Sequence, residues 1–185
     1  MSNNRLNSRE QSAKIAVCGM MVSLSVALML MGGIIPIATY CVPMFSSILL
    51  LPLLFEYGKR TAWTAFAAIS CISLILGIDK EAAFFYLFLG YYPLIKWDLD
   101  RVTPRIFRTL LKLFVFNGAF ALMYVFLGFL LNMDAIVQEF VQMGVFLIIA
   151  FIVLLNICML LYDRLLLPLV YLYAGKLRPK LKFFR

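Results

Sequence analysis

The chain has 185 residues, 64% of them hydrophobic, a mean hydropathy of +0.98, and 17 Lys and Arg against 9 Asp and Glu, for a net charge of +8. That much apolar side chain exceeds what a soluble core of this length can use, and the apolar runs approach the roughly 20 residues a bilayer-crossing helix needs. There is no histidine, which removes the commonest general base and metal ligand and excludes a zinc protease of the H-E-x-x-H type.

Spanning segments must be helices or a closed barrel, because lipid leaves no partner for free backbone groups. The continuous, non-alternating runs choose helices. Met1 to Ser12 forms a polar, basic tail. The first helix follows from Ala13 to about Met31 without an A-x-A cleavage site, so it is expected to be an anchored helix and not a signal peptide. Ala16, Gly19, Ser23 and Ala27 share one stripe of it, the last three spaced by four. Small residues at that spacing let a second helix approach closely, either within the protein's own bundle or from a separate membrane subunit.

Gly32 to Tyr40 is too apolar for a solvated loop and too broken for a helix. The next span, Pro43 to Phe55, is bracketed by Pro43 and Pro52, and its 13 residues reach only about 20 Å. Broken segments at membrane depth are tolerated where protein buries them or a cavity hydrates them, and in transporters they mark binding regions. The alternative is a glycine turn at the interface. A third span, Thr61 to Gly77, leads into Asp79-Lys80-Glu81, and a fourth, Ala82 to Ile95, carries a kink at Gly90-Tyr91-Tyr92-Pro93.

Lys96 to Arg108 mixes cations with Trp97, Leu99, Ile106 and Phe107. It is expected to lie on the inner membrane surface, its cations on anionic lipid headgroups or on a cytoplasmic partner. The fifth and sixth spans are Leu110 to Leu131 and Gln142 to Tyr162. A second amphipathic segment, Leu165 to Arg185, is kinked by Pro168 and expected to end near Gly175. The expected fold is thus an all-α integral membrane protein, a six-helix transmembrane bundle over residues 13–174 between tails 1–12 and 175–185.

Sixteen of the seventeen cations form four clusters on one side of this path: Arg5, Arg9 and Lys14; Lys59 and Arg60; Lys96, Arg101, Arg105, Arg108 and Lys112; and Arg164, Lys176, Arg178, Lys180, Lys182 and Arg185. By the positive-inside rule both termini face the cytoplasm, in the plasma membrane of a bacterial-type cell. Topology accounts for the charge, so nucleic-acid binding is set aside. The other side carries Asp79, Lys80, Glu81, Asp134 and Glu139.

Asp79 stands where a helix N-cap would, and Glu81 in the first turn, where the helix dipole favours an anion. Either can be structural or ligand-binding. Lys80, a lone outer cation, can meet a ligand carboxylate or phosphate, or pair with Asp134 or Glu139. Asn117, Ala121, Tyr124 and Gly128 share a face of the fifth helix, with Tyr124 the outer member. Asn117 and Asn156 fall at similar depth and can bond each other. Tyr40, Tyr86, Tyr91 and Tyr92 can stack on a flat ligand or belong to the bundle. Glu56 with Arg60, and Asp163 with Arg164, read as inner-surface anchors. No carboxylate stands mid-span as a proton carrier would. Cys18, Cys41, Cys71 and Cys158 lack C-x-x-C spacing and read as small packing residues.

With six helices, cytoplasmic termini and the Lys14-Ile15-Ala16-Val17-Cys18-Gly19-Met20-Met21-Val22-Ser23-Leu24-Ser25 segment, the chain resembles the substrate-binding S components of energy-coupling factor (ECF) vitamin transporters. The family's A-x-x-x-A is carried here by Gly19-x-x-x-Ser23-x-x-x-Ala27. The resemblance implies capture of a small molecule from outside, driven by a membrane coupling subunit and two cytoplasmic ATPases, with no catalytic residue, metal or cofactor in this chain. The absence of a G-x-x-x-x-G-K-[ST] segment agrees with that division of labour. It further implies a coupling-subunit face at Ala16, Gly19, Ser23 and Ala27, and a pocket under the Gly32 to Tyr40 and Asp79 to Glu81 loops, with Lys80, Tyr40, Tyr124, Asp79, Glu81 and Tyr86 as its candidate residues. The competing class is a scaffold protein that binds another membrane complex or anionic lipid. A lipid-processing enzyme would need clustered carboxylates, which the dispersed acidic residues do not supply.

Overall fold

A computed structural model of the chain describes residues 8–32, 39–76, 79–102, 104–130 and 144–177. Among them the fold is all-helical: α1 Ser8–Gly32, α2 Cys41–Ile48, α3 Leu50–Tyr57, α4 Lys59–Leu76, α5 Lys80–Leu89, α6 Tyr92–Leu99, α7 Arg105–Leu130 and α8 Val145–Leu172, followed by a π-helical turn, Tyr173–Leu177. Most of the Gly32 to Tyr40 segment, together with Asp134 and Glu139, falls outside the described residues.

Among the described residues three segments are long and apolar enough to cross a bilayer: Gln11–Gly32, Arg105–Gly128 and Val145–Gly175. Their outer faces stay apolar and exposed, as at Ile15, Phe114, Val125 and Phe146. Such a surface suits lipid and not water, so this is a helical membrane protein.

Two expected single spans are each divided. Pro43 to Phe55 becomes α2 and α3, joined at Leu49, whose N–H bonds the Ser46 carbonyl at 3.2 Å. Pro52 has no N–H for the Ile48 carbonyl, so an unbroken helix would lose a bond there, whereas in the first turn of a new helix the missing donor costs nothing. Ala82 to Ile95 becomes α5 and α6, where Pro93 likewise enters the first turn. Gly90 closes α5 with a 2.7 Å bond to the Tyr86 carbonyl. A Cβ there would lie 2.5 Å from that carbonyl oxygen, so the break requires glycine. Gly58, with φ +83°, makes the reversal between α3 and α4.

α5 is the central wall. Its Ala82 and Tyr86 face a core built with Val17, Val26, Met29, Leu50, Leu53, Phe66 and Ile69 of α1, α3 and α4. Its Phe84, Phe85 and Leu89 face a second core with Phe116, Met123, Leu127, Leu155, Met159 and Leu166 of α7 and α8. A helix apolar on all sides is stable only when enclosed in this way.

Other expectations are corrected. The last helix does not stop at Tyr162 but continues through Pro168 to Leu172, so residues 165–172 prolong α8 and are not a separate surface segment. Cys41, Cys71 and Cys158 are exposed on outer helix faces, not packed within the bundle; Cys18 is half-buried. Trp97 is half-buried, its ring edge-on to that of Phe55 at 5.8 Å. Lys96 is 1% exposed and so reaches no headgroup.

Candidate functional site

α7 and α8 run antiparallel and carry three polar layers. Twelve residues separate Lys112 from Tyr124 on α7 and Phe151 from Asp163 on α8, about 18 Å in each case. One layer centres on Tyr124, one on Lys112 and Asp163, and the amides of Asn117 and Asn156 lie between them.

The first layer begins at two helix N-termini. Asp79 caps α5: one carboxylate oxygen accepts the Ala82 N–H at 3.1 Å, and the other accepts the Thr39 hydroxyl at 2.7 Å. The cap thereby ties the start of α5 to the residue before Tyr40, itself the N-cap of α2. Glu81, in the first turn of α5, accepts both phenols on one oxygen: Tyr40 at 2.6 Å and Tyr124 at 2.6 Å. The two phenol oxygens are 3.0 Å apart. Phe85 and Phe151 meet the Tyr40 ring edge-on at 5.4 and 5.9 Å, and Phe120 lies 4.8 Å from the Tyr124 ring. Each such ring pair adds about 0.5–1.5 kcal/mol beyond area burial, which holds the phenols in place.

Four expected pocket residues, Tyr40, Asp79, Glu81 and Tyr124, are therefore brought together, and two are not. Lys80 is exposed and donates to the Leu74 carbonyl at 2.7 Å. It satisfies an orphan acceptor at the end of α4, a favourable position for a cation. Tyr86 is fully buried between the helices, stacked on Phe66 at 5.6 Å. The enclosed space beneath the cluster, lined by Met44, Ser47, Phe85, Tyr92 and Tyr162 among others, measures about 10 Å³. It accepts at most a single water, so this space among the described residues holds no small molecule.

In the middle layer Asn117 donates to Asn156 at 2.7 Å and Asn156 returns a bond at 3.2 Å. The third layer was not expected. Asp163 accepts from Lys96, from Lys112 at 2.9 and 3.0 Å, and from the Tyr92 hydroxyl at 2.5 Å. Asp100 adds ion pairs with Lys96 at 3.4 Å, with Lys112 and, at 3.8 Å, with Arg108. Asp163 is thus the hub of a network spanning α6, α7 and α8, and not an anchor paired with Arg164. Periodicity carried the signal. Lys112 continues the core stripe Phe116, Ala119, Met123, Leu127, and Lys96 follows Tyr92 by four.

On α1 the inward residues are Val17, Ser25, Val26 and Met29, while Ala16, Gly19, Ser23 and Ala27 are all exposed. The small-residue stripe therefore does not pack within the chain's own bundle. Beside it a groove of about 570 Å³ runs between α1 and α4, lined by Lys14, Cys18, Gly19, Thr61, Thr64 and Ala68 among others.

Among the described residues no three of Cys, Asp and Glu gather to hold a metal ion. Comparison of the chain with family models, with curated proteins and with solved structures finds no match.

Proposed function

We propose that this chain is a membrane-embedded capture subunit, similar to the S components of ECF transporters, that binds a small molecule for uptake and leaves energy coupling to a separate module with ATPases. The observation that carries the reading is the convergence of Tyr40, Glu81 and Tyr124 on one hydrogen-bonded cluster. In this reading the helices form six spans, with α2 and α3 together as the second and α5 and α6 together as the fourth. Both termini then face the cytoplasm, and the cluster lies toward the outside. A ligand donor would displace one phenol from Glu81, and the aromatic rings would flank the ligand. The exposed stripe and the adjoining α1–α4 groove would receive a helix of the coupling subunit.

Mass spectrometry of gently extracted protein tests capture directly. A retained small molecule is expected in the unaltered protein and is expected to be lost in Glu81→Ala, while both proteins stay monodisperse. Co-purification with ATPases, weakened by Gly19→Leu, tests coupling. No retained molecule and no ATPase partner would remove this reading and leave the scaffold class, for which the same exposed stripe speaks.

A further inference from the structure

The Lys96–Asp163 network opens sideways into a recess of about 530 Å³ between the end of α6, the start of α7 and α8, lined by Lys96, Asp100, Arg108, Thr109, Lys112, Leu160, Asp163, Arg164 and Leu167. Its charges do not cancel: four cations face two carboxylates. Within it the lysines and carboxylates satisfy one another, so the excess falls on the two arginines at the mouth. Arg108 touches Asp100 only at 3.8 Å and its carbonyl at 3.3 Å. Arg164 is exposed and makes no hydrogen bond or ion pair among the described residues. A guanidinium is a planar fork of donors matched to phosphate oxygens, and Thr109 adds a hydroxyl to the wall.

The depth fits a headgroup. Arg108 lies in the first turn of α7, at one end of a helix long and apolar enough to cross the hydrocarbon. The lip is apolar: Leu160 and Leu167 line the opening, and Phe107, Leu110, Leu161 and Leu165 beside it are exposed.

We propose that this recess binds a phosphate group, carried by an anionic phospholipid, between Arg108 and Arg164, with the acyl chains along the exposed flank of α7 and α8. Asp100 and Asp163 would repel the phosphate, but Lys96 and Lys112 stand on both of them. The site uses none of the residues of the Tyr40–Glu81–Tyr124 cluster and holds whether or not that cluster captures a ligand.

The test uses the full-length protein in phosphatidylcholine nanodiscs with and without phosphatidylglycerol, read by thermal unfolding and by native mass spectrometry of retained lipid. Phosphatidylglycerol is expected to raise the melting temperature and to appear as a bound adduct. Arg108→Gln with Arg164→Gln should weaken retention at least tenfold. Arg60→Gln with Arg101→Gln removes the same charge from exposed arginines outside the recess and should leave retention within twofold. Equal loss in the two double variants, or no protection by phosphatidylglycerol, overturns the proposal. Inorganic phosphate added to detergent-solubilised protein separates the sources: no protection supports the lipid, and protection as large as the lipid's overturns it in favour of a soluble phosphate.

Discussion

The Tyr40–Glu81–Tyr124 layer and the Lys96–Asp163 layer both centre on a carboxylate in a largely apolar bundle, yet they satisfy it differently. Glu81 is met by two neutral phenols that also lie within hydrogen-bond distance of each other, whereas Asp163 is met by two ammonium groups that are 1% and 5% exposed. If Glu81 loses one phenol, the freed hydroxyl still has the other phenol or a ligand to bond. If Asp163 loses its lysines, buried charges are left unpaired, which costs far more than an unmade neutral bond. The first arrangement suits exchange of partners and the second suits rigidity. The exchangeable cluster thus lies where opening is cheap, about 18 Å along α7 from the clamp that holds α6, α7 and α8 together.

The largest predicted effect tests the clamp. Asp163→Ala strands Lys96, Lys112 and the Tyr92 hydroxyl and is expected to cost about 3–5 kcal/mol. Glu81→Ala leaves two phenols able to bond each other and is expected to cost about 1–3 kcal/mol. Thermal unfolding in detergent compares the two. Equal destabilisation would erase the distinction between the layers.

Between them, Asn117→Leu probes the middle layer, where each amide also bonds its own helix: Asn117 to the Leu113 carbonyl and Asn156 to that of Ile152, both at 2.8 Å. With those local bonds available, breaking the interhelical pair should cost only about 0.6–1.7 kcal/mol. A loss as large as that of Asp163→Ala would make this layer the true clamp.

Parts of this contrast were legible in the sequence and parts were not. The cap at Asp79 follows from Asp79-Lys80-Glu81 preceding an apolar run, and the amide pair follows from counting residues along two helices. The meeting of Tyr40 with Tyr124, 84 residues apart, depends on how α2 and α7 pack around α5, which no local pattern encodes. The Lys96–Asp163 network was missed because charge counting treats every cation near a boundary as facing water or headgroups. A residue's position on the helix decides that instead, and Lys112 sits in register with Phe116 and Met123. Lys80 misled for a complementary reason: the α4 carbonyl it serves becomes visible only once α4 has an end.

The smallest effect lies at the edge of the clamp, where Lys59 at the start of α4 pairs with Asp98 on α6, both about half exposed. The Lys59 hydrogen bond holds the Asp98 carboxyl below its ordinary value. A depressed carboxylate contributes stability above its unfolded value, near pH 3.9, and loses it as the pH falls through the folded one. Lys59→Met should therefore return Asp98 to the ordinary range in a carboxyl NMR titration, with little change in the melting temperature at neutral pH, because an exposed pair is screened by water. A large neutral-pH loss would mean that the clamp extends through Asp98 to α4, and that the rigid end of the bundle includes the groove beside α1.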